Sequence, residues 1–270
     1  MPTKYARIDG LAIHYVHEGT TTLPDVPPPL GRGRPLLLIH GEGGSASLWT
    51  RQMAHFARAH SPIALDLPAH GRSCGLEALD SVAAAAALAG RFLAELDAPP
   101  AVIVGHGLGG QVALELALAR PERVHGVVAI GTAARAEVAA EQIEQLRKVV
   151  QGKLGQQFDT PFFGAQPDFA VMRQFWGEMV KTDPRSRLAD LLVYQASDFR
   201  GRLGGLNKPV LVIHGEADRI CPRAKAEELR GAIAGAEIVS IAGAGHVPFL
   251  EKPDEVNQAI DTFLARVSKA

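Results

Sequence analysis

The sequence contains few of the features that mark exported or membrane proteins. Its 270 residues include only two cysteines, Cys74 and Cys221, which are too few for a disulfide framework and are typical of a reducing compartment. The first ten residues lack the apolar segment that a secretory signal needs, and no stretch is long and apolar enough to span a bilayer. We therefore expect a cytoplasmic protein with no membrane partner.

Charge of either sign is also not concentrated anywhere. The 28 lysines and arginines are balanced by 29 aspartates and glutamates, which gives a net charge of -1 without a basic cluster. This excludes the electrostatic pattern of a nucleic-acid-binding protein. With 47% hydrophobic residues, the composition favours one globular domain that binds a small molecule. The sequence does not determine the oligomeric state, and a homodimer is one option.

The order of apolar segments predicts an α/β protein. Residues 5–18 alternate apolar and polar positions around Asp9-Gly10, which predicts an antiparallel hairpin, and the Pro- and Gly-rich residues 19–34 predict a loop. From Pro35 onward, short buried runs alternate with amphipathic stretches, as in parallel sheets joined by helices. Strands are predicted at 36–40, 62–66, 101–106, 126–130, 210–214 and 237–241, and helices at 45–59, 81–97, 108–120, 223–233 and 253–268.

One segment interrupts this alternation. Residues 133–203 contain helical stretches without a convincing buried strand, so we predict a helical lid inserted into a core made of residues 1–132 and 204–270. Its aromatic residues either line an apolar acyl pocket or form ordinary core; they are Phe158, Phe162, Phe163, Phe169, Phe175 and Trp176.

Polar and glycine-rich motifs follow the ends of the predicted parallel strands, where open α/β sheets bind ligands. They are H-G-E-G-G-S from His40, D-L-P-A-H-G-R-S from Asp66, G-H-G-L-G-G from Gly105, H-G-E-A-D ending at Asp218, and G-A-G-H ending at His246. In the G-x-S-x-G pattern, a serine sits on a sharp turn between strand and helix. Here Gly107 takes the place of that serine.

In this order and spacing the motifs resemble the α/β-hydrolase family, and the similarity extends from Ala12 to Leu264. Within the family the chain resembles small-ester and enol-lactone serine hydrolases. The resemblance implies a doubly wound, mostly parallel sheet of about eight strands, with a helical lid after the sixth strand. It also implies a small ester, lactone or related apolar acyl substrate. We expect neither a cofactor nor a metal.

The resemblance also implies a role for each site residue. His246 would be the general base, and Asp218 would orient it. The backbone N–H groups of Glu42 and Leu108 would form the oxyanion hole. Gly107 occupies the nucleophile position without a hydroxyl, so the covalent acyl-enzyme of the family cannot form.

Three hypotheses follow from Gly107. The first is a serine hydrolase disabled by loss of its nucleophile, through engineering or natural decay. The second is an enzyme in which the His246 and Asp218 pair acts directly as general base on water or on an acidic substrate proton, in hydrolysis, lyase chemistry or cofactor-free oxygenation. The third is a non-catalytic binder of small ligands. The intact surroundings of Gly107 favour the first.

The remaining polar residues near the strand ends are assigned structural roles. We expect the Glu42 side chain to turn to solvent, since an oxyanion hole needs only its N–H, and Cys74 to be a buried, inert thiol. The others are predicted to be hydrogen-bonding or capping residues: His40, His70, His106, Ser45 and Ser73.

Overall fold

The computed structural model describes residues 2–75, 77–157 and 160–267, without the side chain of Thr160. Its described part contains an eight-stranded sheet with the strand order β1-β2-β4-β3-β5-β6-β7-β8. β1 and β2 pair antiparallel with each other, and β2 pairs antiparallel with β4. All other neighbouring strands are parallel. The predicted mostly parallel α/β sheet is therefore confirmed.

The strands lie within two residues of their predicted positions. Asp9 and Gly10 both have positive φ angles, and they form the tight turn of the predicted N-terminal hairpin. The strands are β1 (Thr3–Ile8), β2 (Leu11–His17), β3 (Pro35–Ile39), β4 (Ser61–Leu65), β5 (Ala101–His106), β6 (Val124–Ile130), β7 (Val210–Gly215) and β8 (Glu237–Ile241).

The helices predicted from the apolar periodicity are present, one of them is divided, and the short α8 is an addition. The single helix predicted at 45–59 is a 3₁₀ turn at Ala46–Trp49, capped by the Ser45 hydroxyl, followed by α1. The helices are α1 (Thr50–Phe56), α2 (Val82–Glu95), α3 (Leu108–Ala119), α4 (Ala140–Val150), α5 (Phe169–Met179), α6 (Pro184–Ala196), α7 (Arg223–Gly231), α8 (Pro248–Glu251) and α9 (Pro253–Val267).

The parallel strands are buried on both faces, which explains their continuous apolar sequence. In β3, Leu37 and Ile39 pack into the core beneath α2 and α3, whereas Leu36 and Leu38 pack into the opposite core with α1 and α9. Side chains alternate between the two faces of a strand, so each strand contributes to both cores. This sheet fixes the loops at its C-terminal edge, where the site lies.

The segment predicted as a lid contains α4, α5 and α6, between β6 and β7. That these helices act as a lid, and the domain boundaries at 132 and 204, stay predictions. Phe158 lies outside the described residues. Within the described chain, no helix is long and apolar enough to cross a membrane.

Candidate active site

Gly107 lies on a sharp turn between β5 and α3, as the glycine pattern predicts. Its φ of 52° and ψ of -116° belong to a region that residues with side chains rarely adopt. The glycines on either side permit the close packing: a Cβ at Gly105 would collide with the carbonyl of Gly109, and a Cβ at Gly109 would collide with the carbonyl of Ile39. The backbone thus has the shape of a nucleophile elbow.

Asp218 and His246 form a buried pair next to this turn. Nδ1 of His246 lies 2.9 Å from Oδ2 of Asp218, and both side chains are almost fully enclosed. The other carboxylate oxygen of Asp218 accepts the N–H groups of Ile220 and Cys221, each at 2.8 Å. Asp218 is therefore fixed by its own loop, and the neutral imidazole that donates from Nδ1 keeps Nε2 as its proton acceptor.

Each member of the pair stabilises the charged form of the other. Burial opposes the charged form of His246, but the Asp218 carboxylate and its hydrogen bond, together with the charge of Glu42, raise the pKa of His246 above its usual value. Burial would likewise raise the pKa of Asp218, yet His246 and the backbone donors outweigh it and lower that pKa. Asp218 thus stays ionised and stabilises a protonated His246.

Two further residues hold the loop of His246 in place. Nε2 of His106 lies 3.0 Å from the His246 carbonyl. The Glu251 carboxylate accepts the N–H groups of Gly245, at 2.8 Å, and Gly164, at 2.7 Å, and so ties the His246 loop to the segment before α5. The sequence analysis assigned no role to Glu251.

The Glu42 side chain does not turn to solvent, so this prediction is wrong. Its Oε2 atom lies 2.7 Å from the point where a Cβ atom at Gly107 would stand. The residue as a whole is partly exposed, but the carboxyl group is enclosed at the elbow. The missing side chain at Gly107 leaves room for this carboxyl group. The motif that contains Glu42 and the motif that contains Gly107 do not show, when each is taken alone, that the two residues meet.

The environment of Glu42 changes its acidity. Burial raises its pKa to about 7, against the lowering effects of His246 and of hydrogen bonds from the backbone of Glu42 itself and of Leu108. These are the two N–H groups predicted to form the oxyanion hole. Here they lie beside the Glu42 carboxyl group and lower its pKa, so the carboxyl group is next to the donors of the predicted oxyanion hole.

Buried polar contacts join the loop of Glu42 to α6. Oδ2 of Asp190 accepts the N–H of Gly43 at 2.9 Å and lies 2.8 Å from Nε2 of His70. The Thr182 hydroxyl donates to the Gly43 carbonyl at 2.8 Å. His40 accepts the N–H of Leu67 at 3.1 Å. His40 and His70 therefore hold loops together, as predicted, whereas no motif pointed to their partner Asp190.

A cavity of about 230 Å³ opens in front of Glu42 and His246. Its apolar wall includes Leu48, Phe162, Phe175 and Met179, and α6 closes one side with Leu191 and Tyr194. Of the aromatic residues in the inserted segment, Phe162 and Phe175 thus line a cavity, Phe163 and Trp176 are core, and Phe169 is exposed. A cavity of this size and lining suits a small, partly apolar ligand.

The two cysteines lie in different environments. Cys74 is exposed, and its sulfur accepts the N–H of Ala12 at 2.9 Å, so the prediction of a buried thiol is wrong. Ser73, next to it, joins β2 to the Asp66 loop by accepting the N–H of His14 and donating to the Asp66 carbonyl. Cys221 is buried, which raises the pKa of its thiol.

No group of side chains suited to a metal occurs among the residues that the structure describes.

The fold, the elbow and the buried His246–Asp218 pair are those of the α/β-hydrolase class of proteins. Residues 36–259 match the model of the Alpha/beta hydrolase family, and the chain belongs to that family.

Individual relatives agree with this assignment. The chain is 32% identical to a pimeloyl-[acyl-carrier protein] methyl ester esterase of Serratia marcescens, over 87% of this chain and 96% of that protein. A thermophilic esterase from Thermogutta terrifontis, solved with malate bound, superposes with a TM-score of 0.81 at 25% identity, covering 98% of this chain and 97% of the other. The enol-lactonase from Burkholderia xenovorans LB400 shares the fold, with a TM-score of 0.83 at 24% identity over 97% and 99% of the two chains.

Proposed function

We propose that this chain hydrolyses small carboxylic esters or lactones by direct attack of water, with His246 as general base and Asp218 as its orienting carboxylate. The observation that carries the proposal is the buried pair at 2.9 Å, in which His246 lines the cavity while the elbow at Gly107 has no nucleophilic side chain. An ester is also the substrate class that the names of the two esterases above indicate.

The reaction needs no covalent intermediate. His246 takes a proton from a water molecule through Nε2 while the water oxygen forms a bond to the acyl carbon, and the electrons of the C=O bond move to the carbonyl oxygen. When the tetrahedral species collapses, the bond to the alkoxy oxygen breaks, and that oxygen takes the proton from His246. The products are the acid and the alcohol, or the hydroxy acid from a lactone.

Asp218 favours the transfer of the water proton to His246, because its carboxylate lies 2.9 Å from the imidazole ring that becomes positively charged. Well-positioned general bases contribute about 10²- to 10⁴-fold to a rate, which is less than a serine nucleophile with its base contributes. We therefore expect turnover to be slow compared with that of serine esterases.

The substrate would enter beneath the inserted helices. We propose that residues 133–203 form a lid over the core of residues 1–132 and 204–270, since α4, α5 and α6 all contribute residues to the cavity wall. The acyl group would pack against the apolar wall at Phe162 and Phe175, and the reacting carbonyl would face Glu42 and His246.

A panel of p-nitrophenyl esters and small lactones tests the proposal. The chain as given should turn over at least one compound, without a burst and without labelling by a fluorophosphonate, because no acyl-enzyme forms. His246→Ala should abolish this turnover. Turnover that survives His246→Ala would refute the general-base mechanism. Binding of the panel without any turnover would instead support a non-catalytic binder or a disabled hydrolase.

A further inference from the structure

We propose that Glu42 is a catalytic residue of this site, and that its protonated carboxyl group donates a hydrogen bond to the substrate carbonyl oxygen in place of the backbone oxyanion hole. The inference rests on the proposed function and assigns to the Glu42 side chain the role of the electrophile that stabilises the developing negative charge.

The position of the carboxyl group is the first argument. Oε2 and Oε1 lie 2.7 and 3.4 Å from the point where a Cβ at Gly107 would stand, so they fill the space beside the elbow. The backbone N–H groups of Glu42 and Leu108 lie beside this carboxyl group and lower its pKa. A substrate oxyanion reaches these two N–H groups only by displacing the carboxyl group, so with Glu42 in its present position the carboxyl group itself is the donor beside the elbow.

The second argument is the chemistry of the group in its two protonation states. An ionised carboxylate has no donor and would repel an oxyanion, whereas a neutral carboxyl group has one O–H donor. Burial raises the pKa of Glu42 to about 7, so the neutral form is well populated near neutral pH. Carboxylic acids kept neutral in apolar sites are known to act as oxyanion donors in other enzymes.

The proton balance follows from these roles. His246 accepts the proton of the attacking water and later gives it to the leaving oxygen. Glu42 keeps its own proton and only shares it with the carbonyl oxygen while that oxygen is negatively charged. The active form therefore needs a neutral His246 and a protonated Glu42 at the same time.

Several groups surround Glu42 and set this balance. His246 lies across the cavity and lowers the pKa of Glu42, whereas Asp190 on α6 raises it. Burial raises the pKa values of Tyr194 on α6 and Cys221 on the loop after β7, and the Glu42 charge adds a smaller rise to each. The side chain of Arg187, also on α6, packs against Gly43. All of these groups remain in a Glu42→Gln variant, so a difference between the two proteins reports on Glu42.

The test compares the parent chain with Glu42→Gln, and uses Glu95→Gln, on the exposed end of α2, as control. The first measurement is kcat/KM for p-nitrophenyl butyrate from pH 5 to pH 9. The glutamine amide is a weaker donor than a carboxyl O–H but donates at every pH, so we expect kcat/KM of Glu42→Gln to fall below that of the parent at pH 6 while remaining measurable. At pH 9 it should exceed the parent by about tenfold or more, because the parent has lost its donor. The control should show the parent profile.

The second measurement does not depend on turnover. Butyrate is titrated calorimetrically into each protein between pH 7 and pH 8, in buffers of different ionisation enthalpy. If the anion of butyrate needs a protonated Glu42, the parent chain takes up more protons than Glu42→Gln on binding, about 0.5 more at pH 7 and about 0.9 more at pH 8.

The outcomes separate this inference from the proposed function. An inactive Glu42→Gln beside an active parent would show that Glu42 acts as a base or nucleophile, and would overturn the inference. Equal proton uptake by both proteins, or no binding of butyrate by the parent, would overturn it as well. If no protein turns over any ester but the difference in proton uptake is found, the proposed function fails and the donor role of Glu42 stands.

Discussion

The carboxyl group of Glu42 lies 2.7 Å, at Oε2, from the point where a Cβ atom at Gly107 would stand. Any side chain at residue 107 must therefore displace Glu42, although the obstacle is the far end of a flexible side chain and can move. The two residues form one structural unit, and the effects of changing them should not be additive.

Gly107→Ser should introduce a nucleophile next to His246, but its effect depends on Glu42. The single variant should gain little, because the carboxyl group occupies both the space and the N–H donors that a serine mechanism needs. Gly107→Ser combined with Glu42→Ala should hydrolyse p-nitrophenyl acetate at least about 10²-fold faster than Gly107→Ser alone. Gly107→Ala with Glu42→Ala is the matched control without a hydroxyl. Equal rates for the two serine variants would contradict this coupling.

Asp218→Asn should remove the carboxylate that fixes and stabilises His246. We expect kcat to fall by about 10²- to 10⁴-fold with little change in KM, because Asp218 faces the ring of His246 and does not line the cavity. Steady-state kinetics on the best ester of the panel measure this effect. Asp198→Asn, which removes one partner of the exposed ion pair with Arg200, is the control and should leave both constants unchanged. A rise in KM alone would argue that Asp218 serves substrate binding instead.

Glu42→Gln should stabilise the folded chain at alkaline pH. The pKa of Glu42 rises from an ordinary value of 4.5 to about 7 on folding, so its contribution to stability is complete below pH 4.5 and is lost as the pH rises through 7. A glutamine side chain at this position does not ionise and avoids this loss, which is at most about 3 kcal/mol.

The measurement for this prediction is the melting temperature of both proteins at pH 5 and pH 8.5. The variant should gain several degrees over the parent at pH 8.5 and much less at pH 5. A gain of equal size at both pH values would mean that Glu42 does not ionise at a raised pKa in the folded chain.

Asp190→Ala should destabilise the chain through the loop that carries Glu42. The substitution leaves the N–H of Gly43 and the buried His70 without their shared carboxylate. We expect the free energy of unfolding, measured in urea at pH 6, to fall by about 3 kcal/mol.

The effect of Asp190→Ala should depend on pH. Asp190 raises the pKa of His70 against the opposing effect of burial, so this stabilisation is complete below pH 6.5 and is lost as the pH rises through the raised pKa of His70. The loss should therefore be smaller at pH 9.

The control for Asp190 is Asp198→Ala, whose carboxylate belongs to an exposed ion pair and should change stability by less than about 1 kcal/mol. If Asp190→Ala and Asp198→Ala lower the free energy of unfolding equally, the buried contacts of Asp190 do not stabilise the loop that carries Glu42.

Much of the fold could be predicted because the signals are local. The alternation of Leu36–Ile39 between two cores, the hydroxyl cap of Ser81 on α2 and the positive φ at Gly107 all follow from residue types near one another in the chain. The same holds for the positions of Asp218 and His246, since both follow parallel strands that end at one edge of the sheet.

Other features depend on contacts between distant segments. The sequence offered no way to see that Asp190 on α6 would meet Gly43 and His70, or that Glu251 would hold Gly164 and Gly245. Hydrogen bonds of this kind depend on the packing of separate elements, and no spacing along the chain encodes them. The same reason explains why Cys74, in a segment with no clear periodicity, was wrongly expected to be buried.

The sequence by itself determined the α/β fold, the elbow at Gly107 and the places of Asp218 and His246, because hydrophobic periodicity and glycine geometry act over short stretches of chain. Only the tertiary structure decided where the Glu42 carboxyl group points and how acidic it is. Its direction depends on the space left by a glycine in another loop, and its pKa depends on burial and on charges that His246 and Asp190 bring from separate elements.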